Sequence, residues 1–274
     1  MHFKKSNDNQ STILHEGNVP YLTFRKLDQA GVRHGFSTRI GGVSEGMFAT
    51  LNLSYNRCDK KEAVDENFRR IGKAIGFDHT KLVFSNQIHE TKIHKVTKED
   101  CGKVMKDMDG LATNEPGIPL YTGYADCVPL FFYDPVEKVA ALAHSGWRGT
   151  VGKIGKVTVE KMEEEFGCDP ADILGAVGPS ICQDCYEVSE DVIKKFRENY
   201  DENLWPEIFY QKENGKYQLN LWKANESVFL ESGILPEHIA VTNVCTHCNP
   251  DILFSHRTTG NERGTLSAFL ALKK

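Results

Sequence analysis

A cationic excess is the first thing this chain lacks. Its 274 residues carry 33 Lys and Arg against 38 Asp and Glu, a net charge of −5. Nucleic-acid-binding surfaces displace counterions with surplus Lys and Arg. No basic run offsets the balance here, so no nucleic acid is expected as a partner. Long hydrophobic runs are missing as well. The longest apolar stretch, Ile118 to Tyr133, contains Asp126 and two prolines and falls short of the roughly 18–20 residues of a membrane-spanning helix. The first residues, MHFKKSNDNQST, hold two lysines with no apolar core behind them, unlike a signal peptide. No membrane partner is expected, and the expected compartment is cytoplasmic. Linkers rich in Pro, Gly or Ser are absent too, so residues 1–12 read as a loose polar tail and 13–274 as a single domain.

What remains is the composition of a folded protein: 40% hydrophobic, 26% charged and 10% aromatic, enough apolar mass for a sizeable core. Eight cysteines in a reducing compartment point to metal binding or reactivity rather than disulfides. Val64, Phe68, Ile71 and Ile75 recur at helical spacing with Gly76 as a stop. Further helices are predicted from about Val151 to Phe166, from Ser189, which can cap the Val192 amide, and after Asn220 with Gly233 as its stop. Strand signals cover Val83 to His89, Val128 to Tyr133, Val139 to His144, Ile173 to Val177 and Ile239 to Val244. A helix, a glycine, a short turn and a strand follow one another after Gly167 and Gly233, and more loosely after Gly76. This reads either as common loop chemistry or as one αβ unit used three times, each delivering a His- or Cys-bearing segment at a strand end.

Three side chains stand out by context. His89 ends an apolar strand, Cys127 lies in Ala125-Asp126-Cys127-Val128-Pro129, and His144 ends a strand before Ser145-Gly146-Trp147. Cys127 and His144 flank the turn-initiating pair Asp134-Pro135, and antiparallel pairing would bring them together. Two imidazoles and a thiolate suit zinc with an open fourth position; the alternative is a buried cysteine and two hydrogen-bonded histidines. Cys182-x-x-Cys185 and Cys245-x-x-Cys248 form a second constellation of zinc-knuckle type, although the interval between them far exceeds the usual 15–20 or so residues. Cys58, Cys101 and Cys168 have no evident partner, and Trp147 reads as a packing anchor.

Four segments together resemble the YfiH-like laccase-domain family, also called multicopper polyphenol oxidase or purine nucleoside phosphorylase proteins. They are His34-Gly35-Phe36-Ser37-Thr38-Arg39 with Gly41-Gly42-Val43-Ser44, then Gln87-Ile88-His89, Ala125-Asp126-Cys127-Val128-Pro129-Leu130, and Ala143-His144-Ser145-Gly146-Trp147-Arg148-Gly149. Gly178-Pro179-Ser180-Ile181, Cys185-Tyr186-Glu187-Val188 and Phe254-Ser255-His256-Arg257 extend the likeness over residues 19 to 272. The resemblance implies an α+β sandwich of mixed β-sheets flanked by helices, in α-β-β-α layers. It also implies a catalytic metal, usually zinc with copper as the other candidate, on His89, Cys127 and His144. The implied activities are phosphorolysis of adenosine, inosine, guanosine and methylthioadenosine, adenosine deamination, copper-dependent polyphenol oxidation, and editing of peptidoglycan precursors.

Chemistry discriminates among these. A multicopper oxidase needs about ten copper ligands, largely paired His-x-His units; the chain has 10 His and no His-x-His. The His-x-Glu…Pro-Cys-x-x-Cys signature of zinc deaminases is absent as well. Phosphorolysis needs arginine forks for phosphate, and Arg39, Arg148 and Arg257 lie inside the resembling motifs, with Ser37 and Ser145 as hydroxyl donors. The expected partners are therefore a purine nucleoside and phosphate. Two other functions compete: a cysteine hydrolase with Cys127 as nucleophile, His144 as base and Asp126 or Asp109 orienting it, and a non-catalytic metal-binding protein.

Overall fold

Alternation along the central strands decides the layering. The computed structural model describes residues 2–4 and 11–274. On the strand Val128–Asp134, Leu130 and Phe132 face one apolar cluster and Phe131 faces another. On Leu266–Ala271, Ala268 and Leu270 point one way and Phe269 the other. Side chains that alternate and are apolar on both faces require cover on both sides. Two large sheets meet through Phe24, Phe36, Leu120 and Leu270 of one and Leu111, Phe131, Leu142 and Ala176 of the other. The outer face of the first receives the helix Lys61–Ile75 through Val64, Phe68 and Ile71. The outer face of the second receives Ile154–Phe166 and Leu221–Glu231 through Val159, Met162, Val228 and Phe229. The result is the expected order of helix, sheet, sheet, helix.

Among the described residues the larger sheet runs, in space, Thr12–His15, Tyr21–Phe24, Arg33–Ser37, Leu266–Ala271, Leu120–Tyr124, Val83–Asn86, Val104–Lys106. The second runs Ile239–Val241, Leu174–Val177, Val128–Asp134, Val139–Ser145, Gly110–Thr113, Ile93–Lys95. A small third sheet joins Glu187–Val188, Tyr217–Leu219 and Phe209–Gln211. No helix among the described residues is long and apolar enough to cross a membrane.

The repeated unit appears three times, and the copies divide between the sheets. Helices end at Gly76, Gly167 and Gly233, each with positive φ, and a 3-10 turn follows in every case: His79–Lys81, Pro170–Asp172 and Pro236–His238. The strands after the last two turns pair in parallel, Ala176 opposite Ala240. The strand after the first lies in the other sheet.

Several boundaries shift. The strand from Val83 stops at Asn86, leaving His89 in a loop, and that from Ile239 stops at Val241. The helix expected from Val151 is broken into Trp147–Val151 and Ile154–Phe166 because Lys153 adopts a left-handed conformation after Gly152. Ser189 does not cap Val192 through its side chain; its hydroxyl donates instead to Asp191. The loose tail is corrected where it is described: Phe3 is buried and the Lys4 amide donates to Asn249 Oδ1 at 2.7 Å, while residues 1 and 5–10 lie outside the described residues.

Phe131 packs between the sheets with its ring 5.3 Å from that of Phe24. Phe131→Ala is therefore expected to lower unfolding stability by roughly 3–5 kcal/mol, read as a fall in the urea midpoint. An unchanged midpoint would contradict the packing.

Candidate metal centre

One buried carboxylate organises the site. Asp109 directly precedes the strand Gly110–Thr113 and is fully buried. It accepts hydrogen bonds from the backbone N–H groups of Ile88 (3.1 Å), His89 (3.0 Å) and Glu90 (2.9 Å). It also accepts from His144 Nδ1 at 2.9 Å. Burial alone would raise the Asp109 carboxyl, but His144 and the converging amides hold it below the usual carboxylate range. With Nδ1 committed to the carboxylate, His144 keeps Nε2 for a ligand, an arrangement typical of metal-bound histidine.

The same three amides fix the loop that carries His89. Its φ of 63° is in the left-handed region, which a non-glycine residue occupies at a cost that neighbouring contacts must offset. Gln87, two residues earlier, clamps this loop to the strand Leu120–Tyr124. Its Nε2 donates to Gly123 O at 2.9 Å and its Oε1 accepts from Gly123 N at 2.8 Å. Cys127 arrives from the opposite side. The hairpin register sets His144 against Pro129 and Ser145 against Val128, so Cys127 stands one step beyond the last pair, beside Gly146. Asp126, with φ 83°, anchors this corner by accepting from Thr246 Oγ1 and from the Arg257 amide, both at 2.6 Å.

The ligand atoms of His89, Cys127 and His144 lie within 4.8 Å of one another. Burial would push His144 down, yet the Cys127 sulfur and the Asp109 carboxylate lift it to about 9. His89 is held below its ordinary value by burial and by His144. A Cβ at Gly146 would come within 2.9 Å of His89 Nδ1 and 3.2 Å of Cys127 Sγ, so glycine keeps the space between the donors clear. Soft sulfur, two imidazoles that converge with it and a carboxylate behind one of them fit a zinc-type ion.

Two unlike cavities meet at this centre, and His89 and Cys127 line both. The larger, about 330 Å³, is polar and includes Arg57, Asn86, Gln87, Arg263 and Thr265. Arg263 is 8% exposed and its Nε has no hydrogen-bond partner; burial and the nearby Arg57 push its guanidinium down to about 10. The smaller, about 150 Å³, is lined by Trp147, Arg148, Tyr186, Leu221 and Arg257. Arg148 lies over Trp147 at 4.3 Å and Arg257 over Tyr186 at 5.2 Å. A more voluminous hollow, about 710 Å³, is elsewhere, beside Arg69 and Arg70, whose guanidinium groups are occupied by Glu66.

Of the residues singled out in the sequence, His89, Cys127, His144, Arg148 and Arg257 come together. Arg39, Ser37 and Ser145 do not, which corrects their expected role at phosphate. Arg39 donates to Ala49 O and Pro250 O and stacks on Phe254, so it braces loops. Ser37 is fully buried and accepts from the Ser267 amide. Ser145 is buried against Asn225 and Thr150. Arg263 and Arg57 were not anticipated. Arg263 sits in an irregular segment and Arg57 ends a three-residue 3-10 turn, neither long enough for periodicity to mark it, and Asp109 is expected from the sequence only as an orienting group for His144.

Asp109→Asn keeps the size of the side chain but turns an N–H₂ group toward amide donors. It is expected to weaken zinc binding roughly 10–100-fold, measured by competition with a chelator. Wild-type affinity in this variant would remove Asp109 from the role.

Comparisons with known proteins show the family. The sequence profile described as "Multi-copper polyphenol oxidoreductase laccase" matches residues 33–273. Purine nucleoside phosphorylase YlmD of Bacillus subtilis is 36% identical over 248 residues, covering 88% of each chain. The crystal structure of YlmD from Geobacillus stearothermophilus superposes with a TM-score of 0.91 at 33% identity, over 96% of this chain and all of that one. YfiH of Bacillus licheniformis superposes with a TM-score of 0.89 at 33% identity, over 95% and 99%. The chain belongs to this laccase-domain enzyme family.

Proposed function

We propose that the protein is a zinc-dependent purine nucleoside phosphorylase, turning a nucleoside and phosphate into free base and ribose-1-phosphate, with adenosine deamination as a second activity. One observation carries the reading: a His₂Cys centre lies where a polar cavity holding a buried arginine, its Nε without a hydrogen-bond partner, meets an aromatic one. The relatives named as purine nucleoside phosphorylases support it.

His89, Cys127 and His144 would hold the zinc, and a zinc ion so held can polarise a substrate oxygen or lower the pKa of water. The chain's own residues do the rest. An anion beside Arg263 relieves both its burial and its repulsion by Arg57, and guanidinium forks match phosphate oxygens. The purine fits the smaller cavity between Trp147 and Tyr186, whose ring faces suit a flat heterocycle. The sugar then spans the centre, with its C1′ exposed to phosphate on one side and the departing base on the other. The new C–O bond forms as the glycosidic C–N bond breaks, and the base leaves with that electron pair.

Multicopper oxidation is not supported. Among the described residues, the groups of three or more side chains able to hold a metal are His89–Cys127–His144 and Cys182–Cys185–Cys245–Cys248, far from the largely histidine set of a blue and trinuclear centre. A second reading does have an observation behind it: the Asp109–His144 hydrogen bond next to Cys127 is also the relay of a cysteine hydrolase. Zinc analysis separates the two, because a thiolate bound to zinc is no free nucleophile.

Incubated with inosine and phosphate, the purified protein should release hypoxanthine and ribose-1-phosphate, resolved by liquid chromatography. Adenosine with phosphate should give adenine, and without phosphate it should give inosine. Base release that is indifferent to phosphate, or no release at any enzyme concentration, would sink phosphorolysis. Arg263→Ala should raise the KM for phosphate roughly 10–100-fold with a smaller effect on the KM for nucleoside, the loss of charge-assisted hydrogen bonds. An unchanged phosphate KM would place the anion elsewhere.

A further inference from the structure

The two Cys-x-x-Cys segments converge on one point, far from each other in sequence but adjacent in space. Cys182 and Cys185 follow the strand Leu174–Val177, and Cys245 and Cys248 follow Ile239–Val241. These strands pair in parallel, and the pairing resumes beyond their ends as a bridge between Ser180 and Cys245, with the Thr246 amide donating to Ser180 O at 3.1 Å. The long interval is therefore spanned by the small sheet and the helices Glu190–Asn199, Trp205–Ile208 and Leu221–Glu231, and the parallel register restores the closeness that spacing conceals.

All four sulfurs lie within 4.8 Å of one another. Cys185 Sγ and Cys248 Sγ are 3.4 Å apart, well beyond the roughly 2.05 Å of a disulfide. Four sulfurs around one tetrahedral zinc, with bonds of about 2.3 Å, stand about 3.8 Å apart. Two backbone amides point at Cys245 Sγ, from Cys182 at 3.2 Å and Cys248 at 3.4 Å, which favours a thiolate there. Cys182 and Cys245 are buried and the other two half-buried. Thiolates packed this closely repel unless a cation stands between them, and a soft tetrahedral S₄ set selects zinc.

We propose that Cys182, Cys185, Cys245 and Cys248 form a second, structural zinc site, separate from the His₂Cys centre. With all four positions filled by protein sulfur, it has no opening for substrate. Its work is to staple two segments that build one wall of the catalytic cleft. Cys185 is followed by Tyr186, which lines the smaller cavity, and Thr246 lies between the cysteines and donates to Asp126 beside Cys127.

The test is metal stoichiometry of the full chain, expressed with zinc, purified under reducing conditions and measured by mass spectrometry of the metal. Wild type should hold two zinc ions. Cys127→Ser should keep one, and X-ray absorption of that variant should show sulfur alone in the first shell. Cys185→Ser with Cys248→Ser should also keep one, now with nitrogen in the shell; if that variant does not fold, the Cys127→Ser protein still decides. A wild type with a single zinc that disappears in Cys127→Ser overturns the proposal. Iron on the four sulfurs overturns it too, as does a Cys182–Cys245 or Cys185–Cys248 disulfide in the intact protein's mass.

Discussion

The Asp109 carboxylate is the constraint on which the site depends. It stands where the ends of both large sheets meet: its amide donors come from the loop after Val83–Asn86 in one sheet, its imidazole partner from Val139–Ser145 in the other. A fully buried carboxylate is costly unless every lone pair is answered. Here three amides and a ring N–H answer it, and each answer also places a ligand. The amides set the turn that presents His89, and the ring N–H fixes the tautomer of His144. The left-handed backbone of His89, worth roughly 1–2 kcal/mol against it, is offset by the same charge-assisted hydrogen bonds. Metal geometry and sheet packing are in this sense one problem with one solution.

Electrostatics then divides the cleft. A chain with net charge −5 repels polyanions at a distance. Within the polar cavity, however, Arg57 stands close to the buried Arg263 and repels its charge. Net charge thus speaks against a polymer partner, whereas a local arginine pair would favour a small anion. The arginines of the other cavity differ: Arg148 and Arg257 lie flat on Trp147 and Tyr186, stiffening an aromatic slot. Anion on one side and flat heterocycle on the other is the division of labour that a nucleoside and phosphate require.

Much of this was legible in the residues, and the failures have a common cause. The Asp134-Pro135 turn was enough to bring Cys127 beside His144, because a hairpin's register follows from its turn. Glycine stops located the three repeated units. Ser145 misses the cleft by strand alternation: His144 faces the site, and Ser145, one step on, faces Asn225 on the helical layer, whereas Arg39 lies past the end of its strand and turns to loop carbonyls. Motif membership marks a segment as needed without saying which face of it works. Arg263 lies in irregular chain and Arg57 at the end of a three-residue 3-10 turn, and the meeting of Cys185 with Cys248 depends on a parallel pairing of distant strands. Neither periodicity nor spacing carries that information.

Asp126 links the two sulfur-bearing centres. Through Thr246 it is tied to the knuckle of Cys245 and Cys248, through the Arg257 amide to the segment after it, and through its own carbonyl to the Ile181 amide beside Cys182. Arg257 in turn donates to the carbonyls of Cys185 and Glu187. Its guanidinium therefore lines the aromatic cavity while holding together the two segments that the four cysteines gather. The corner that delivers Cys127 can be only as rigid as those segments are. A tetrathiolate zinc at their junction would stiffen the corner that delivers Cys127 without touching substrate, with the left-handed Asp126 one peptide bond away from that residue.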